Sequence, residues 1–86
     1  MQEVSMEDTK ETIKAYILAE FLPGEDPEAL TDSTPLITGG ILDSLATVKL
    51  MAFLEERFQI ELQAHEARVD YLNTISDIAE LVRSKL

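Results

Sequence analysis

At 86 residues the chain has room for one domain and one core, and a domain this short buries only roughly 60% of the surface its unfolded form exposes. Seventeen acidic against seven basic residues give a net charge of −10, which repels phosphate backbones and anionic lipid, so nucleic acid and membrane surfaces are excluded as natural partners and basic protein surfaces are favoured. There is no cysteine, so disulfides, thiolate metal ligands and an encoded thiol nucleophile are excluded, and any thioester chemistry would need sulfur added after synthesis.

The N-terminus MQEVSMEDTK has neither a basic flank nor an apolar signal core, and no apolar run approaches the roughly 20 residues that span a bilayer. A single domain over residues 1–86 and a cytoplasmic location are the expectations. Ile13, Ile17 and Phe21 recur four apart with Tyr16 and Leu18 beside them, Ser5 and Asp8 supply a cap signal, and Pro23-Gly24 a stop. This predicts a helix over about 6–22.

From residue 23 to 42 periodicity vanishes and turn formers take over: Pro23, Gly24, Pro27, Asp32, Ser33, Pro35, Gly39 and Gly40. A loop this long in a small domain points either to function or to an element hidden within it, and Leu30, Leu36, Ile37, Ile41 and Leu42 predict that it packs onto the core.

A second helix is expected over about 43–58. Leu50, Leu54 and Phe58 project to one side with Met51 and Thr47, while Leu45, Val48 and Ala52 project to nearly the opposite side among Lys49, Glu55 and Glu56. Such a helix is either sandwiched in the core or carries one exposed apolar stripe for docking inside a charged rim. A short irregular or one-turn helical piece is expected at about 65–71. Asn73-Thr74 then offers a cap for a last helix over about 74–85, with Ile75, Ile78, Ala79, Val82 and Leu86 in helical register.

Asp43 suits an N-cap, its carboxylate accepting from free amides of the first turn. Ser44 then opens the helix, where backbone dipoles favour a phosphate group by about 0.3–1 kcal/mol. His65 has no partner at metal-ligand spacing, Glu25, Asp26, Glu28 and Asp32 lack the calcium-loop pattern, and no acid-base pair is recognisable, so neither a metal site nor catalysis is expected.

The run Gly39-Gly40-Ile41-Leu42-Asp43-Ser44-Leu45, followed by Thr47-Val48, Leu50, Leu54-Glu55-Glu56 and Phe58, resembles the modification site and second helix of acyl carrier proteins. The resemblance covers nearly the whole chain and implies an all-α fold: a four-helix bundle with a long first loop and a short third helix. It implies that Ser44, with Asp43 before it, receives 4′-phosphopantetheine from coenzyme A and carries acyl or aminoacyl groups without catalysis by the chain itself. The implied partners are a phosphopantetheinyl transferase and the ligases, synthases and transferases of one pathway, meeting a monomer at Leu45, Val48, Lys49, Ala52, Glu55 and Glu56. Ala46 and Lys49 stand where carriers of primary fatty acid synthesis usually have acids, and Arg57 where they often do, which points to a specialised polyketide, aminoacyl or peptidyl pathway, with primary fatty acid synthesis as the alternative. The reading from another class is an unmodified acidic module that binds a partner through Leu45, Val48 and Ala52.

Overall fold

The structure, a computed structural model, describes residues 5–86. Residues 1–4, which form part of the N-terminus read above as leaderless, lie outside the described residues. Four helices form an all-α bundle: α1 Met6–Phe21, α2 Ser44–Phe58, α3 Val69–Leu72 and α4 Ile75–Lys85. Among the described residues no helix is long and apolar enough to cross a membrane.

Each long helix starts on a side-chain cap. Ser5 Oγ accepts from the Glu7 amide at 3.2 Å, Asp43 Oδ1 from Ala46 at 2.8 Å, and Thr74 Oγ1 from Asp77 at 3.0 Å. These bonds satisfy first-turn donors that have no partner within the helix. α2 stops where Gln59 enters the left-handed region at φ 56°, and the amides of Gln59 and Ile60 both donate to the Glu55 carbonyl.

The core is drawn from every segment. Ile13 and Ile17 of α1, Leu50 and Leu54 of α2, Leu72 of α3, and Ile75, Ile78, Ala79 and Val82 of α4 are all sealed from solvent. α1 packs most heavily on α4. Tyr16 of α1 stacks on Phe53 of α2 with ring centroids 4.0 Å apart and meets Phe21 edge-on at 5.7 Å. Burial, and then the charge of Glu20, raise the Tyr16 phenol above its usual range, and its hydroxyl donates to the Lys49 carbonyl at 3.2 Å.

The short irregular or one-turn piece expected over 65–71 is a 3-10 turn Ala64–Glu66 followed by the one-turn α3, with Arg68 extended at φ −136° between them. One expectation is corrected. Leu86, counted into the apolar register of the last helix, is 57% exposed, since α4 ends at Lys85 and the stripe runs out with it; Leu81 is buried instead.

The 3-10 turn is tied to the C-terminus by a buried acid. Glu66 Oε1 accepts from the Gln63 amide at 2.8 Å and lies 2.9 Å from Lys85 Nζ. The backbone hydrogen bond first, and then Lys85, hold the Glu66 carboxyl below the ordinary glutamate range.

Between α1 and α2 the long loop lies down on the core. It winds one 3-10 turn at Pro27–Ala29 and buries Leu30, Leu36 and Leu42. The loop's own amides turn inward to pair: Ile41 and Leu42 both donate to the Leu36 carbonyl at 2.8 and 2.9 Å, and α4 fixes its middle through Ser76 N–H to the Asp32 carbonyl at 3.1 Å. Gly40 sits at φ +83°, a conformation open to glycine at little cost. A side chain at Gly39 would collide with the Pro35 carbonyl oxygen, so close approach of two backbone segments explains the second glycine.

Candidate functional site

The loop delivers the chain to Asp43, whose extended backbone (φ −88°, ψ −173°) turns into α2. Its side chain caps Ala46, and its carbonyl accepts from the Thr47 amide at 2.9 Å and the Thr47 hydroxyl at 2.8 Å. Ser44 is the first residue of α2 and is exposed. The amides of Ser44 and Leu45 precede the first rung of the helical ladder, so a phosphate ester on the serine oxygen would sit where backbone donors and the helix dipole favour negative charge. The hydroxyl is open to an approaching enzyme, and the residues present fit a phosphodiester.

An open cleft of about 530 Å³ lies beside the serine. Leu42 and Ile37 come from the loop, Thr47 and Val48 from α2, Ala67 from the end of the 3-10 turn and Val69 from the start of α3, with Asp43 and Ser44 at its edge. A second open recess of about 280 Å³ flanks the other side of the helix start, between Phe21, Ile41, Leu45 and Lys49.

The outer stripe of α2 faces solvent: Leu45 is 65% and Val48 62% exposed, and Ala52, Lys49 and Glu56 are exposed with them. Burial on both sides, the alternative that periodicity left open, does not occur. Glu55 differs from its neighbours, being half-buried with one carboxylate oxygen accepting from the Leu62 amide at 2.9 Å. Close to the site, Arg68 and Asp70 lie 3.8 Å apart. Among the described residues no group of histidine and acidic side chains is arranged to hold a metal, and His65 is exposed.

Sequence reasoning missed the far walls of the cleft. Ala67 and Val69 lie in a segment whose periodicity is too short to read, and of the Asn73-Thr74 pair that offers a cap Thr74 caps α4 while Asn73 binds the loop.

A family described as "Phosphopantetheine attachment site" matches residues 13–82, a span that includes α2 and Ser44. The chain belongs to that family. Carriers of this family bear 4′-phosphopantetheine as a covalent prosthetic group, and this chain is therefore a carrier of thioester intermediates on such an arm. Carrier domains are typically non-catalytic and interact with phosphopantetheinyl transferase and the enzymes of their pathways. Among relatives, the D-alanyl carrier protein of Streptococcus suis (strain 98HAH33) is 37% identical over 81 residues, covering 90% of this chain and 99% of that one. An acyl carrier protein of Desulforapulum autotrophicum is 35% identical over 69 residues, covering 80% and 87%. A solved chain described as "Crystal structure of FAD-dependent dehydrogenase" superposes on this carrier with a TM-score of 0.74 and 28% identity, covering 81% of this chain and 97% of that one.

Proposed function

We propose that Ser44 is the residue that bears the arm, that its cargo is a small acyl or aminoacyl group of a specialised pathway, and that the carrier itself catalyses nothing. The observation that carries the attachment reading is the exposed hydroxyl of Ser44 as the first residue of α2, at the edge of an apolar cleft. The arm supplies the thiol that holds the cargo, and this chain's residues supply its address. Asp43 holds the helix start rigid, the first-turn amides favour the phosphate, and Leu45, Val48 and Ala52 offer apolar contacts to client enzymes within the rim of Lys49, Glu55 and Glu56. We place the carrier in the cytoplasm as a monomeric single domain.

Two observations support small cargo over a long acyl chain. The side chains of Ile13, Ile17, Leu50, Leu54, Ile75 and Ile78 have no exposed surface and pack as one cluster, so a long chain would have to displace them. Along nearly its whole length this sequence is similar to a D-alanyl carrier protein, which directs attention to aminoacyl cargo. The competing reading is a carrier for primary fatty acid synthesis, favoured by the 35% identity to an acyl carrier protein.

Intact mass after incubation with coenzyme A and a broad-specificity phosphopantetheinyl transferase tests the attachment. The expected result is one added arm on the wild type and none on Ser44→Ala, whose far-UV circular dichroism stays unchanged because an exposed first-turn hydroxyl contributes little to stability. An arm on Ser44→Ala would refute the assignment, and an unmodified wild type would leave the partner-binding module as the better account. Offering the armed protein D-alanine, ATP and a D-alanyl carrier ligase, in parallel with malonyl-coenzyme A and its transferase, then separates the two cargo readings.

A further inference from the structure

Three consecutive loop amides end on one residue. Leu36 N–H donates to the Asn73 main-chain carbonyl at 2.6 Å, and Ile37 and Thr38 N–H both donate to Asn73 Oδ1 at 3.0 Å. Two backbone donors converging on one side-chain atom can be met only by the amide oxygen, which fixes the orientation of the group. Asn73 itself closes α3, with φ −79° and ψ −24°, immediately before the Thr74 cap of α4.

These bonds join two walls of the cleft beside Ser44. Ile37 stands on the loop wall and Val69 on the α3 wall, and Asn73 is the residue that ties the first to the end of the helix carrying the second. The same tie reaches the serine along the backbone. The Asn73 main-chain carbonyl anchors Leu36, and the side-chain oxygen holds the next two residues in the same register. The Leu36 carbonyl receives the amides of Ile41 and Leu42, and Leu42 leads directly into Asp43 and Ser44. Ile37 is only partly buried, so without Asn73 its amide could find water, and the loop would lose its registration before the core unfolded.

We propose that Asn73 is a positioning residue, whose side-chain oxygen holds the loop wall of the cleft in place and so presents Ser44 pre-organised to the enzyme that modifies it. The inference rests on Ser44 as the attachment residue. Preorganisation lost from the free carrier must be restored on binding, so it weakens apparent affinity and leaves the bound reaction intact.

The test uses the full chain, coenzyme A and a broad-specificity phosphopantetheinyl transferase, with kcat and KM for the carrier measured separately. Asn73→Ala should raise KM on the order of tenfold with little change in kcat, and hydrogen exchange at the Ile37 and Thr38 amides should accelerate. Asn73→Asp keeps an acceptor of the same shape and should behave as wild type in both measurements. Accelerated exchange in Asn73→Ala with unchanged KM would overturn the proposal, and so would a KM raised equally in Asn73→Asp while its amides stay protected. If circular dichroism shows Asn73→Ala to be unfolded, Asn73→Ser carries the test: its shorter hydroxyl cannot reach both amides, KM should rise as exchange at Ile37 and Thr38 accelerates, and accelerated exchange with an unchanged KM overturns the inference. Failure of the Ser44 assignment itself would look different, as a wild type that gains no arm or a Ser44→Ala variant that gains one.

Discussion

The two faces of α2 are built from the same kinds of side chain and meet opposite fates. Leu50 and Leu54 are fully buried, while Leu45 and Val48, on the same 15-residue helix, keep 65% and 62% of their surface. Packing neighbours make the difference: α1, α4 and the loop cover the inner side, and nothing among the described residues covers the outer one. One face holds the domain together and the other is left available next to Ser44. Solvent exposure of large apolar residues beside the proposed attachment serine is the kind of surface that exchanges partners.

Substitutions can break or sharpen this contrast. The largest effect on stability is expected from Leu54→Ala, which should cost about 2–5 kcal/mol in denaturant unfolding, a large share of the roughly 5–15 kcal/mol typical of such domains. A loss below about 1 kcal/mol would mean that the inner face is not close-packed. Asp43→Ala should cost about 0.5–2 kcal/mol, because the Ala46 amide loses its acceptor, and it should loosen the first turn under Ser44. Hydrogen exchange at Ala46 reads this directly, and unchanged protection there would show the cap to be dispensable. Smallest in stability is the outer face: Leu45→Ala and Val48→Ala should each move unfolding by no more than about 0.5 kcal/mol while weakening transfer to Ser44 or loading by a client enzyme. A stability loss as large as that of Leu54→Ala would erase the distinction between the faces.

Much of this was legible beforehand because helices write their packing into a short period. The Ile13-Ile17 spacing in α1, the Leu50-Leu54 pair and the Ile75, Ile78, Ala79, Val82 register each follow from 3.6 residues per turn, and those side chains are buried, while Phe21 at the end of the α1 stripe is only partly so. Ser44 could be placed at a helix start because an acid followed by an apolar-patterned run marks one, where a phosphate ester is favoured, but it is the resemblance of the run Gly39 to Leu45 to carrier modification sites that singles it out. The α3 region resisted the same treatment. Ala64–Leu72 contains one 3-10 turn and four α-helical residues, too few for any period to emerge, and Leu86 was counted into a stripe whose helix had already ended.

By itself the sequence determined the helical class, the inner stripes and the position of a capped serine at the head of α2, because each depends on interactions within a few residues along the chain. Only the tertiary structure decided which stripe of α2 stays in water, that Ile37, Val48 and Val69 meet as the walls of one cleft, and that Asn73 binds the loop 35 and 36 residues away and leaves the cap of α4 to Thr74. Those outcomes depend on which surfaces arrive next to one another after collapse, and hydrogen bonds between distant backbone segments leave no periodic trace in the order of the amino acids.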